Sequence, residues 1–267
     1  MQAQQRWESF LAQIRDRHAA IIVDCDAALV PILQQLVAGG DTSVISRQLS
    51  LTDARMCELE DRIEATFNDK VEGAFESEGA SVAVCNAEGL KGRRLRWHLG
   101  FARNLHEPMV LDRLVRMQYA HAQATQAPLV CAHCRNVMPL PLVGRTMPIR
   151  CACGGTTEYV PSALMKMASA SGADAVAKVA AQAEWRQMVE AQNMRHELRP
   201  PYSLEVIMHI ERTQIAYYRA YWTMRGQFEP ERNDVAREIK AIMEPWYVTY
   251  AEFEPAWVAA GRPRSPL

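Results

Sequence analysis

Apolar residues recur along much of this chain at steps of three and four, the spacing that gathers them on one face of a helix. The first run is Trp7, Leu11, Ile14, His18, Ile21, Cys25, Ala28 and Ile32. It predicts a helix over residues 4–38, bent or split at Pro31 and ended by Gly39-Gly40. Ser50 to Asp53 offers capping chemistry for a second helix, whose buried stripe is Met56, Leu59, Ile63, Phe67, Val71 and Phe75. Its other faces carry Glu58, Glu60, Asp61, Glu64 and Asp69, the pattern of a solvated surface. Residues 81–85 fit a helical turn or a short strand, and 90–104 a helix despite Gly92 and Gly100. Pro108 suits the first turn of a further helix running to about residue 124.

The helical period stops at residue 128. Stretches 137–143 and 146–150 are β-compatible and flank Gly144-Arg145, which predicts a hairpin. Helical patterning returns after Pro161: residues 173–198 up to Pro200-Pro201, 203–226 capped by Ser203, and 231–244 stopped by Pro245. An irregular tail rich in Trp, Tyr and Pro follows. The expected fold is mainly α, a helical bundle-like domain with a small β insertion. Residues 1–127 form an N-terminal helical region and 161–267 a C-terminal one packed on it, with 128–160 projecting between them.

Composition narrows the function classes. At 267 residues the chain can bury a core without disulfides, and its net charge of −1 creates no strong field toward nucleic acid or anionic membranes. No apolar run approaches the ~20 residues of a membrane span, and the polar start into an amphipathic helix does not read as a signal peptide. The expectation is a cytoplasmic protein without a membrane partner. Seven cysteines, an odd number, fit a reducing compartment.

Four of those cysteines fall within 23 residues: Cys131-Ala-His-Cys134, sixteen residues, then Cys151-Ala-Cys153-Gly-Gly. Two close thiolate pairs brought together by a hairpin suit tetrahedral Zn²⁺, with a redox-active dithiol or an iron site of rubredoxin type as the alternatives. Gly154 and Gly155 let backbone amides approach the sulfurs. The segment from about 129 to 160 resembles a zinc ribbon, a module of two cysteine knuckles on a three-stranded sheet. Its second knuckle differs, with one residue between the cysteines where two are typical. The resemblance implies one structural zinc on Cys131, Cys134, Cys151 and Cys153, and a role in binding protein or nucleic acid rather than catalysis. His133 reads as a solvent-facing loop residue.

Catalytic motifs are missing. There is no P-loop, G-x-G-x-x-G or G-x-S-x-G, and neither His106-Glu107 nor His196-Glu197 extends into a zincin motif. No histidine follows a glutamate at the Glu-x-x-His spacing of di-iron bundles. His18, on a core stripe, reads as hydrogen-bonded structure, and Glu211, on an apolar arc, as the partner of an arginine from a neighbouring helix. Residues 91–103 form the one dense basic run. Lys91, Arg93, Arg96 and Arg103, with Arg145 of the ribbon, are the candidate contacts for an anion or nucleic acid. Residues 1–127 nevertheless carry three more acids than bases, so pairing with the acidic second helix competes with that role.

The helix over 203–226 has two apolar stripes where a rim helix needs one. It is either central to the fold or a contact surface. Tyr217, Tyr221, Trp246 and Trp257 are the candidate interface residues, for self-association or a protein partner. The leading reading is a non-enzymatic zinc-binding interaction protein, an adaptor or a subunit of an assembly. The alternatives are a nucleic-acid-binding accessory protein and a helical enzyme whose residues converge only in space.

Overall fold

The computed structural model of the chain describes residues 2–198, 201–250 and 253–261. It is mainly α, with two small two-stranded sheets beside the cysteine cluster. The chain divides into two compact units, one of residues 1–36 and 40–107, the other of 37–39 and 108–267.

The first unit holds α1 (Gln2–Leu36), α2 (Ser43–Thr66), a π-helical turn (Phe67–Val71), α3 (Glu72–Ser77) and the first part of α4 (Val82–Thr125). Trp7, Leu11, Ile14, Leu59, Ile63 and Leu99 make its core, as the stripes on α1 and α2 predict. Three details depart from expectation. Pro31 lies inside α1 without splitting it. Among the described residues α1 is the one helix long and apolar enough to cross a bilayer by length and composition, with an 18-residue window of mean hydropathy 1.5, of which 22% is buried. Apolar residues such as Val23 and Val30 stand outside the inward stripe and raise that average. Finally, α2 begins at Ser43 rather than near Ser50. Asp41 accepts from the Ser43 backbone N–H at 2.9 Å and from its hydroxyl at 2.7 Å, which also lowers the Asp41 pKa.

The π-turn explains a feature of the stripe. Ile63, Phe67, Val71 and Phe75 are spaced four apart, and at 3.6 residues per turn each step drifts by about 40°. Widening one turn, with the Glu72 N–H reaching back to the Phe67 carbonyl, absorbs that drift and leaves Phe75 fully buried. Residues 82–125, expected as a weak element followed by separate helices, form the single helix α4 with Pro108 inside it.

The second unit continues α4 and carries β1 (Leu129–Val130), β2 (Val137–Met138), β3 (Met147–Arg150), β4 (Thr156–Tyr159), α5 (Ala163–Ala180), α6 (Gln182–Glu197), α7 (Leu204–Arg225), a 3₁₀ turn (Pro230–Arg232), α8 (Val235–Thr249) and α9 (Glu254–Ala259). Ser203 caps α7 by accepting from the Val206 N–H. The single helix expected over 173–198 is two, broken at Ala181. Pro245 does not stop α8, and the aromatic tail adds α9 instead of running irregularly. Pro200, residues 251–252 and residues 262–267, also covered by those expectations, lie outside the described residues.

The ribbon is anchored rather than projecting. Tyr119 of α4 donates to the Leu140 carbonyl, Arg145 pairs with Glu231 at 2.8 Å, and Leu142 joins the core of Val115, Ala173, Val176 and Phe228. At Gly144 an added Cβ would come within 2.8 Å of the Ser169 Cβ, so the connector lies directly on α5.

Candidate metal centre

The two hairpins of the ribbon are β1–β2 and β3–β4, both antiparallel. The expected hairpin around Gly144-Arg145 does not form. Each knuckle instead sits at the tip of its own hairpin, where the strand pairing holds its cysteines together.

The first knuckle spans Val130↔Val137, enclosing six residues. The Cys131 N–H donates to the Asn136 carbonyl at 2.9 Å, the Arg135 N–H donates to the Cys131 carbonyl at 3.0 Å, and Arg135 turns the chain with φ 64°. The second spans Arg150↔Thr156, enclosing five. There the Cys151 N–H donates to the Gly155 carbonyl at 2.8 Å, the Gly154 N–H donates to the Cys151 carbonyl at 2.9 Å, and Gly154 turns the chain with φ 85°. The same construction is thus repeated one residue shorter. The Cys-x-Cys spacing shortens the knuckle without misdirecting its sulfurs.

All four sulfurs lie within 4.8 Å of one another. Cys131 Sγ is 3.7 Å from Cys153 Sγ, and Cys134 Sγ is 3.6 Å from Cys151 Sγ. Among the described residues this is the one such gathering of His, Cys, Asp or Glu donors. The Gly155 N–H donates to Cys153 Sγ at 3.4 Å, and Ala132 N–H donates to Thr157 Oγ1 at 2.9 Å, tying one knuckle to the other hairpin. Backbone N–H groups of Cys134 and His133 hold the Cys131 thiol down at about 6. At Cys134 the Asn136 N–H also favours the thiolate, but the crowding sulfurs of Cys153 and Cys151 and burial push the thiol up to about 12. Four thiolates this close repel one another, so all can ionise together only around a cation. A soft dication in tetrahedral coordination answers that need.

The residues fit a zinc ion on their donor chemistry: four sulfurs, amides aimed at them, and a surrounding shell of Leu129, Met138 and Ile149. His133 is exposed and stands outside the donor group.

The other candidate residues fall elsewhere. Lys91 pairs with Glu8 at 3.0 Å and Glu88 at 2.7 Å, and Arg96 with Asp61 at 2.8 Å and with Glu64. Arg103 Nε donates to Glu60 at 2.9 Å and its NH1 to Asp53 at 2.9 Å. Arg96 and Arg103 are therefore matched by the acidic face of α2 and Lys91 by α1 and its own helix, while Arg93 is exposed and lines a cleft. Tyr217, Tyr221, Trp246 and Trp257 are all buried. Tyr217 and Tyr221 pack with Trp185, Met188 and Trp222, and Trp246 and Trp257 with Tyr247 and Phe253. These aromatics are spent in the chain's own core, so the expected interface has no exposed aromatic face here. Burial also pushes the Tyr217 hydroxyl pKa well above its ordinary value.

Two polar couples escaped sequence reading because each joins distant segments. Buried His18 stands 3.4 Å from Glu60, itself bound to Arg103, and His106 Nε2 lies 3.3 Å from Asp26. Glu211 accepts from the Tyr247 hydroxyl at 2.5 Å. Compared with known protein families, curated proteins and solved structures, the chain matches none.

Proposed function

We propose that the four cysteines hold one structural Zn²⁺ and that the chain is a non-enzymatic interaction protein, an adaptor or a subunit of a larger assembly. The convergence of the four sulfurs carries this reading. Four protein ligands leave a zinc ion no open position for substrate or water, so its work is to lock the two knuckles. The locked ribbon then presents Val137 and Val160, apolar and 69% and 59% exposed, at its surface. Apolar side chains held on a fixed scaffold are material for a protein interface. The nucleic-acid alternative draws less support, because Lys91, Arg96 and Arg103 are already engaged with carboxylates.

Elemental analysis of freshly purified protein tests the metal, with one zinc per chain expected and loss on Cys131→Ser or Cys151→Ser. Protein without zinc would overturn it. Affinity purification from the native host tests the role. A stoichiometric protein partner lost on Val137→Asp, with zinc retained, supports an adaptor, whereas co-purifying nucleic acid supports the alternative.

A further inference from the structure

In the first unit, a cleft of about 200 Å³ opens where the π-turn faces α4. Two glycines of α4 line it. A Cβ at Gly89 would meet the Phe67 ring at 2.9 Å, and one at Gly92 would meet Trp7 at 2.7 Å, so both rings pack directly onto this stretch of α4. Ile63 and the half-buried Phe67 supply an apolar wall. Asn68 and Asn86 supply amides on either side.

The lining of the cleft carries both signs of charge, Glu64 and Glu72 with Arg93 and Arg96. The basic side chains Lys91, Arg96 and Arg103 of α4 are each satisfied by two carboxylates. Arg93 and Glu72, one from each wall, are exposed and enter no ion pair among the described residues. An unpaired cation and an unpaired anion therefore share one small pocket with an aromatic ring. That set complements a ligand carrying both charges and an apolar body. At about 200 Å³ the cleft lies below the ~300–1,000 Å³ of ordinary ligand pockets, which limits its occupant to a small molecule.

We infer that the cleft between the π-turn and α4 binds a free α-amino acid with an apolar side chain. Arg93 takes the carboxylate in a two-pronged contact, Glu72 the ammonium, and Phe67 with Ile63 the side chain. Nothing in this assignment depends on the zinc ribbon or on the adaptor reading.

Isothermal titration of the full-length protein with L-phenylalanine and L-leucine tests it, alongside N-acetyl-L-phenylalanine and L-phenylalaninamide. The expected result is saturable binding of one or both free amino acids. Each capped analogue, lacking one of the two charges, binds at least tenfold more weakly. Arg93→Gln and Glu72→Gln lie on the surface and leave the fold intact by circular dichroism. Arg93→Gln abolishes the preference for phenylalanine over its amide, and Glu72→Gln the preference over its N-acetyl form. No heat from either free amino acid at millimolar concentration overturns the proposal. So does binding that both substitutions leave unchanged, which would place the ligand elsewhere. Equal binding of the free and capped forms overturns it too, because the charges would then play no part.

Discussion

Gly155 illustrates how narrow the tolerances are at the metal centre. A Cβ there would stand 2.8 Å from the His133 Cβ, 3.3 Å from Cys153 Sγ and 3.4 Å from Cys131 Sγ. The neighbours that would have to yield are a knuckle residue close to its backbone and two metal donors. Gly155→Ala is expected to spread the knuckles and speed zinc transfer to a chromogenic chelator at least several-fold. Unchanged transfer would show that the sulfurs have slack. Arg103 is a second residue where one change has a defined cost. It faces Glu60, which is 5% exposed and also lies beside buried His18. Arg103→Ala would leave Glu60 buried with only His18 beside it, and breaking such a pair costs up to about 3 kcal/mol. Urea unfolding of the variant should show that loss, and a change within about 0.5 kcal/mol would mean that water reaches Glu60.

Helix α7 decides between core and surface for the aromatic residues. Its inward face is Ile207, Ile210, Glu211, Thr213, Gln214, Tyr217, Tyr221 and Trp222, a wide arc covered by the other helices of the second unit. The Tyr221 hydroxyl donates to Asp174 at 2.6 Å, and Arg225 also reaches that carboxylate, at 3.6 Å. Trp222 lies against the guanidinium groups of Arg225 at 5.2 Å and Arg232 at 4.0 Å. Removing large buried aromatics costs roughly 3–5 kcal/mol each. Tyr217→Ala with Tyr221→Ala should therefore lower Tm by more than about ten degrees, or unfold the second unit outright, while light scattering reports an unchanged oligomeric state for any protein that remains folded. An unaltered Tm with lost assembly would return these residues to an interface. A similar contact lies at Gly172 of α5, where an added Cβ would fall 2.0 Å from Val115 Cγ2. Gly172→Ala should cost about 2 kcal/mol in urea unfolding, because Val115 is 4% exposed and has nowhere to move.

For the molecule as a whole, the separate cores predict separate responses to metal removal. The ribbon has its own small cluster around Cys131, Met138 and Cys151, whereas the first unit is built on Trp7, Ile14 and Ile63. On the proposed zinc reading, strands of two and four residues depend on the metal to tie their tips. Chelation should thus abolish amide protection over residues 129–159 in hydrogen exchange and leave residues 7–63 protected. Uniform loss of protection along the chain would mean that the zinc supports the entire fold.

The gathering of the four cysteines, the helical character and the stripes on α1 and α2 were legible in the amino-acid sequence, because each depends on residues close together in the chain. A Cys-x-x-Cys and a Cys-x-Cys announce a metal through spacing alone, and a stripe through its period. Other features depended on meetings between distant segments, about which local period says nothing. Knuckle hairpins replaced the expected one because strand pairing satisfies backbone groups beside each cysteine pair. Pro108 and Pro245 sit inside helices, which packing sustains despite the lost hydrogen bonds. Arg96 and Arg103 found their carboxylates on α2, leaving Arg93 over a cleft. Aromatic residues of α7, α8 and α9 could serve equally as core or as interface by composition. Only tertiary packing could place them inside, because burial belongs to a residue's surroundings and not to its identity.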